Sequence, residues 1–192
     1  MPPKVKITKE DVLSAAFDLV RQGGMAALNA RAIAKALRCS TQPIFRVFDS
    51  MEDLRGAVMG RIGEAYSDYF DSYIQKQDGP PYKATGLAYI HFAKDEKELF
   101  KILFMRDRTG EGRMETDHSF DVAVERIMAA TGLDYETASR FHLDMWVFVH
   151  GIATMLATSY LDLGDELISE LMTDAYEGFV PLFQKKNEDR QE

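Results

Sequence analysis

The chain has a single cysteine, few prolines and no long uninterrupted hydrophobic run. Because Cys39 is the one cysteine among 192 residues, no disulfide can form within the chain, which is typical of a reducing compartment. No stretch approaches the roughly 20 apolar residues of a membrane-spanning helix. The opening residues, Met-Pro-Pro-Lys-Val-Lys, lack the apolar core of a signal peptide, so we expect a cytoplasmic protein.

Positive charge is also scarce, since 23 Lys and Arg against 31 Asp and Glu give a net charge of −8. This net negative charge argues against nucleic-acid binding, but the two parts of the chain differ when their charges are counted separately. Residues 1–50 carry a charge of +4, which leaves −12 on the remainder. A basic head with an acidic body favours contact with phosphates at one end of the molecule. The apolar content of 46% allows a folded core in one large or two small domains.

Strand-like alternation, internal repeats and low-complexity segments are missing as well. Helix signals occur along the whole chain, and we predict an all-α fold of about nine helices. The expected N-caps of the first four helices are Thr8 with Asp11, Asn29, Ser40 and Ser50. Later helices are predicted after residues 78–81, from residue 95, and over residues 117–131, 135–161 and 165–186. Residues 107–116 are predicted to be a mobile loop.

Residues 29–54 predict two short helices joined by a tight turn and followed by the start of another helix. The apolar side of the first helix is formed by Ile33, Ala34 and Leu37. Its basic side, at helical spacing, is formed by Arg31, Lys35 and Arg38. A solvated basic face is the alternative reading of this side.

The second short helix has Pro43 in its first turn, where a missing N–H costs little. One arc, which we expect to be buried, contains Pro43, Ile44, Val47 and Phe48. The other arc contains Thr41, Gln42, Phe45 and Arg46. A polar arc on a short helix, supported by a basic helix, is what a helix-turn-helix presents to the major groove. The sequence therefore predicts DNA binding.

This stretch resembles the N-terminal domain of the TetR/AcrR family of transcriptional regulators. The matching positions are Ala15-Ala16, Gly24, Arg31, Ile33-Ala34, Ser40, Ile44-Phe45, Phe48, Glu52 and Leu54. Residues 89–93 and 146–151 resemble one C-terminal class of the same family. The resemblance implies a three-helix DNA-binding domain over 1–54 and a helical effector-binding and dimerisation domain over 55–192. It further implies a bacterial repressor that binds a palindromic DNA operator as a homodimer and responds to a small-molecule effector.

Three positions depart from the family pattern, which usually has Tyr, His and Lys where this chain has Phe45, Val47 and Met51. Phosphate contacts are therefore expected from other cations and from N–H groups at the start of the fourth helix. Gln42 and Thr41 are the expected base readers, whereas Arg46 could read guanine or hold phosphate. Phe45 could contact DNA or the domain core. The candidate DNA-binding residues are Lys4, Lys6, Arg31, Arg38, Ser40, Thr41, Gln42, Pro43, Phe45 and Arg46.

The last two helices carry apolar stripes that predict pairing with a second chain in a four-helix bundle. The first stripe contains Phe141, Met145, Phe148, Ile152 and Met155. The second contains Ile168, Leu171, Met172, Ala175, Phe179 and Phe183. An excess of aromatic residues over 66–160, together with histidines there, predicts a cavity for a largely apolar effector, or else a filled core. The candidate ligand-binding residues are Tyr66, Phe70, Tyr73, Phe92, Phe104, Phe120, His142, Trp146 and His150.

Other classes of protein find little support in the residues. Cys39 is expected to be a small buried hydrophobe rather than a redox switch. The four histidines lack the spacing of metal ligands, so neither a metal nor a cofactor is expected. No catalytic constellation is recognisable, and we predict that the protein is not an enzyme. A small helical enzyme and a helical module with decayed DNA binding remain the alternatives.

Overall fold

The computed structural model describes residues 7–109 and 118–190, and every regular element within these ranges is helical. The prediction of an all-α fold is therefore confirmed. A 3-10 turn, Met25–Ala27, follows the first helix. The α-helices are α1 (Lys9–Gly23), α2 (Ala30–Ala36), α3 (Ile44–Val47), α4 (Met51–Gln75), α5 (Pro81–Asp95), α6 (Lys97–Phe104), α7 (His118–Thr131), α8 (Tyr135–Ala157) and α9 (Asp165–Glu188). The predicted loop over 107–116 lies mostly outside the described residues.

The described residues form two compact units. The first contains residues 7–68 together with Glu96–Arg106, and hence α1, α2, α3, most of α4, and α6. The second contains Tyr69–Asp95 and the described residues from Asp107 onward, and hence α5, α7, α8 and α9. The predicted division assigns DNA binding to residues 1–54 and effector binding and dimerisation to residues 55–192. This assignment of functions stays a prediction.

Two of the predicted N-caps shape the first unit. Thr8 Oγ1 accepts the N–H of Asp11 at 3.1 Å, and the Asp11 carboxylate accepts the N–H of Thr8 at 2.8 Å. These hydrogen bonds from Thr8 hold the pKa of the Asp11 carboxyl below its usual value. Asn29 Oδ1 accepts the N–H of Ala32 at 2.9 Å and so begins α2. Caps of this kind contribute about 1 kcal/mol each.

The core of the first unit forms where α1 packs against α2, α3 and α6. Arg21 of α1 donates from Nε to Glu96, which directly precedes α6, at 2.7 Å. Because Glu96 is 13% exposed at its side chain, this ion pair is partly shielded from solvent. The fully buried apolar side chains of the unit are Val12, Ala16, Val20, Ile33, Ile44, Leu54, Val58, Ile62 and Phe100.

The end of α1 depends on Gly24, which has φ 68° and ψ −176°. This region of backbone space is essentially restricted to glycine. We therefore expect Gly24→Ala to lower the free energy of unfolding by about 1–3 kcal/mol. Urea unfolding followed by circular dichroism measures this change. Gly56→Ala, at an exposed helical position where a Cβ meets no described atom within 4 Å, is the matched control and should be neutral or stabilising.

Two predicted helix ends are wrong. Ser40 does not cap α3, because Pro43 precedes that helix and no side chain caps it. Residues 41–44 instead form a turn in which the N–H of Ile44 donates to the carbonyl of Thr41 at 3.2 Å. Helix α8 ends at Ala157 rather than at residue 161, since Ser159 adopts a left-handed conformation with φ 57°.

In the second unit, α8 is central and packs against α5, α7 and α9. Asp134 caps α8 by accepting the N–H of Thr137 at 2.8 Å. Large side chains of this core that are almost completely shielded from solvent include Ile90, Phe92, Ile127, Phe141 and Phe183. Within the described ranges, none of the helices combines the length and apolar character needed to cross a bilayer.

Candidate functional site

The turn between α2 and α3 is built by a helix C-terminal motif. The N–H of Cys39 donates to the carbonyl of Ala34 at 2.9 Å, and the N–H of Arg38 donates to that of Lys35 at 3.2 Å. This pair of hydrogen bonds defines a Schellman motif, in which Arg38 occupies the left-handed position with φ 51°. Glycine is the usual residue there, so the non-glycine residue strains the turn. This strain was not predicted from the sequence, although Arg38 follows α2 at the position where a helix-ending glycine is expected.

Arg38→Gly should raise the free energy of unfolding by about 1 kcal/mol, because glycine adopts the left-handed conformation without steric cost. Arg38→Ala is the matched control, since it removes the same charge but keeps the strained backbone. Thermal unfolding of both variants measures the difference. Equal stability of the two variants would contradict the claim that the backbone at Arg38 is strained.

Exposed cations line the same region. Arg31 and Lys35 on α2, Arg38 in the turn and Arg46 on α3 are all exposed. None of these four side chains forms an ion pair with a carboxylate in residues 7–109 or 118–190. Unpaired cations at one helix-turn-helix retain their full attraction for phosphates. The predicted basic face is thus present, and we call these four residues the basic cluster.

The two arcs predicted for the second helix are confirmed in part, because Pro43 and Val47 of the apolar arc and Thr41 of the polar arc are only half-buried. Ile44 and Phe48 are buried at 0% and 2% exposure, whereas Gln42 and Arg46 are exposed. Phe45 is 49% exposed and therefore does not tuck into the domain core. A half-exposed phenyl ring can contact a thymine methyl group, and this role of Phe45 stays a prediction.

The remaining candidates of the DNA-binding set are placed differently. Ser40 is exposed, while Thr41 and Pro43 are half-buried. Cys39 is also half-buried, so it is less buried than predicted, and its role as a packed hydrophobe stays a prediction. It follows the left-handed residue, where Schellman motifs commonly place a small apolar side chain. Lys4 and Lys6 lie outside the described residues.

The start of α4 is less free to bind phosphate than the sequence suggested. The N–H of Asp53 donates to Ser50 Oγ at 3.0 Å, and the N–H of Asp49 donates to the Asp53 carboxylate at 3.1 Å. Glu52 adds a further negative charge in the first turn. Two N–H groups are therefore occupied, and the local carboxylates repel an anion.

A cavity of about 660 Å³ lies within the second unit, among the start of α5 and parts of α7, α8 and α9. Its size is in the range of small-molecule sites. Burial raises the pKa of the Tyr82 phenol at its wall. The lining residues are Pro80, Pro81, Tyr82, Lys83, Arg126, Ala129, Ala130, Met145, Met172, Thr173, Tyr176 and Glu177.

The nine predicted ligand-binding residues are distributed over several places, and none of them lines this cavity. Tyr66 and Phe104 pack edge to face in the first unit, with ring centroids 5.2 Å apart. In the second unit, Phe120 contacts the His142 ring at 5.0 Å. The Nδ1 atom of His142 lies 3.0 Å from the hydroxyl of Tyr82, so this pair contacts the cavity wall indirectly.

The other predicted ligand residues belong to separate contacts of the second unit. Phe92 is completely buried, and Tyr73 stacks on His91 at 5.0 Å. Trp146 stacks on His150 at 5.1 Å and is 43% exposed. Phe70 is half-buried on α4. A ligand-binding role for these residues stays a prediction.

The last two helices also expose apolar side chains. The predicted stripes of α8 and α9 largely face their own unit, as Phe141, Met145 and Phe183 are buried. Met155 of the first predicted stripe and several other side chains on these helices are, however, at least 36% exposed. This set, called here the α8–α9 apolar surface, contains Leu143, Trp146, Val147, Met155, Leu167 and Leu182.

Comparisons with known proteins agree with the helix-turn-helix and with the helical second unit. The family model described as bacterial regulatory proteins, tetR family, matches residues 12–58. The model described as tetracyclin repressor-like, C-terminal domain, matches residues 82–176. No curated protein matches the chain.

Several solved structures share the fold. A TetR-like transcriptional regulator from Rhodococcus sp. RHA1 has a TM-score of 0.65 and 14% identity, covering 93% of this chain and 98% of that one. A protein of unknown function from the same organism has a TM-score of 0.62 and 22% identity, covering 94% and 96%. The multidrug binding protein EbrR, complexed with imidazole, has a TM-score of 0.52 and 16% identity, covering 87% and 93%.

The two family models match separate stretches that together make up most of the chain, and their order is that of a DNA-binding head followed by a ligand-binding body. The members of this family are regulators of transcription and not enzymes. The chain belongs to the TetR family of transcriptional regulators.

Proposed function

We propose that the protein is a cytoplasmic homodimeric repressor that binds a palindromic operator and leaves it when a small, largely apolar effector binds. The observation that carries this proposal is the basic cluster beside exposed Gln42 and Phe45 on one helix-turn-helix. A single helix-turn-helix reads only a few base pairs, so a useful operator requires two of them. A symmetric dimer on an inverted repeat meets this need.

The composition of α8 supports the dimer. Between Leu143 and Ala157, Asp144 is the one charged residue if histidine is neutral, so this part of the helix is apolar on all sides. Such a helix is normally buried all round. One side packs within its own unit, whereas Leu143 and Val147 are 47% and 59% exposed. A second copy of α8 and α9 would cover these side chains in a four-helix bundle.

Two glycines on the same helices support a close helix approach. Gly151 in α8 and Gly178 in α9 each lower helix stability by roughly 1 kcal/mol relative to alanine. A Cβ at either position meets no described atom within 4 Å, so packing within the chain does not require glycine there. A partner helix that approaches the backbone closely would explain both.

The connections along the chain support control by a ligand. Helix α4 starts directly after the helix-turn-helix, and its last residues, from Tyr69, belong to the second unit. Helix α5 lines the cavity at its start and ends at Asp95, next to the Glu96 that pairs with Arg21 of α1. A ligand that shifts α4 or α5 would change the spacing of the two DNA-binding heads. A difference of about 1–3 kcal/mol between the two forms suffices for release.

Two experiments test this proposal. Selection from a random-sequence DNA library should enrich an inverted repeat whose half-site centres lie about one helical turn, roughly 34 Å, or slightly more apart. A thermal-shift screen of the free protein should then find stabilising compounds that also weaken operator binding. No enriched sequence would contradict specific recognition, and stabilising compounds without effect on DNA affinity would contradict the coupling.

A further inference from the structure

We propose that the effector is an organic monoanion with an apolar body, and that Lys83 in the cavity of the second unit binds its anionic group. This inference rests on the proposed function in one respect only, which is that the bound ligand is called an effector because it is taken to control DNA binding. The binding itself concerns the cavity and holds whether or not the ligand releases DNA.

The Lys83 ammonium is held by two hydroxyl groups of α9. Nζ donates to Ser169 Oγ at 2.7 Å and to Thr173 Oγ1 at 2.8 Å. Both hydroxyls are neutral, and within residues 7–109 and 118–190 no carboxylate forms an ion pair with Lys83. An ammonium has three N–H donors, so one remains available to a ligand.

A second lysine on the same helix, Lys94, has a carboxylate partner, as is usual for a lysine that is partly shielded from solvent. Lys94 Nζ lies 2.6 Å from the Asp165 carboxylate, which neutralises it. This contact with Asp165 raises the pKa of Lys94. Lys83 instead lies half-buried with hydroxyl partners, where an unneutralised charge is costly. A carboxylate or similar anion entering the cavity would remove that cost and gain a charge-assisted hydrogen bond.

The charges of the cavity wall favour a single negative charge. Lys83 and Arg126 supply two cations, and Glu177 supplies one carboxylate. The excess of one positive charge selects an anion over a cation of the same shape. A neutral ligand would leave this excess uncompensated.

The rest of the wall favours an apolar body. Two prolines, two alanines and two methionines supply aliphatic surface, and the methionine side chains adapt to irregular shapes. The Tyr82 hydroxyl already lies 3.0 Å from His142, which leaves its ring as the available surface. The residues that form the apolar part are Pro80, Pro81, Ala129, Ala130, Met145 and Met172.

Calorimetric titration of the full chain with matched acids and alcohols tests the proposal. The probes are decanoate against decan-1-ol and 2-naphthoate against 2-naphthalenemethanol, at pH 7.5. In at least one pair, the acid should bind about tenfold more tightly than its alcohol, as a charge-assisted hydrogen bond predicts. Equal binding of acid and alcohol in both pairs, or no binding of any probe, would overturn the proposal.

Variants of Lys83 assign the effect to this residue. Lys83→Met should reduce acid affinity to that of the alcohol and leave alcohol affinity unchanged, whereas Lys83→Arg should retain the preference for the acid. Lys94→Met removes the same charge from the same helix outside the cavity and should leave the preference intact. An equal loss for acid and alcohol in Lys83→Met, or the same loss in Lys94→Met, would overturn the assignment.

Operator binding separates the two proposals. If the acid binds through Lys83 but leaves operator affinity unchanged, the anion site stands and the proposed release mechanism fails. If neutral compounds release the operator as well as anions do, the release mechanism stands and the anion site fails as its cause.

Discussion

Val147→Lys should turn the protein into a monomer at micromolar concentration and reduce operator binding with it. Val147 is 59% exposed within its own chain, so the substitution should change the stability of a single chain by little. At the centre of a paired α8–α9 apolar surface, however, an unpaired ammonium costs about 3–5 kcal/mol. Each ammonium therefore weakens the dimer by about two to four orders of magnitude, and a two-fold symmetric interface contains two of them.

Sedimentation velocity measures the association state of this variant, and anisotropy titration measures its operator affinity. Gln75→Lys places the same new charge at an exposed position of α4 and serves as the matched control. A Val147→Lys protein that sediments as a stable dimer would contradict the assigned interface. Loss of folded structure in circular dichroism would instead show that Val147 stabilises its own chain.

Gln42→Ala and Arg31→Ala should weaken DNA binding in two distinguishable ways. Removing the Gln42 amide should cost about 1–3 kcal/mol on the operator and almost nothing on unrelated DNA, because an amide pairs with the edge of an adenine. Removing the Arg31 charge should weaken both complexes alike and reduce the slope of log affinity against log salt by about one.

Titrations of operator and unrelated DNA at several salt concentrations separate these effects. Arg140→Ala, which removes an exposed charge from α8 in the second unit, is the matched control and should leave the salt slope unchanged. Identical behaviour of the Gln42 and Arg31 variants on all DNA would contradict the division into base reading and phosphate contact.

The sequence was sufficient for much of the DNA-binding unit because local chemistry determines its helix ends. Side-chain caps at Thr8 and Asn29 and the burial of Ile44 and Phe48 follow from short-range rules of spacing and hydrogen bonding. Ser40 was misassigned because residues 41–44 form a backbone turn that displaces the start of α3. The pattern of side chains does not indicate such a turn.

The helical body was less predictable because its residues are apolar on more than one side. On α8 the predicted stripe through Phe141 and Met145 faces the interior, while Leu143 and Val147 are exposed. Only the packing of neighbouring helices decides between these two sides. Lys83 was missed for a related reason. Its partners, Ser169 and Thr173, lie 86 and 90 positions further along the chain, so the sequence near Lys83 does not show that they are hydroxyls rather than carboxylates.

The spacing of the two half-sites gives the most direct measurement of the central claim, that a symmetric dimer reads a palindrome. Affinity should be measured for the selected operator and for a duplex with about five base pairs, half a helical turn, inserted between its halves. A dimer held by α8 and α9 should lose most of its specific affinity on the inserted duplex, because one half-site then faces away. Equal affinity for both duplexes would contradict the claim.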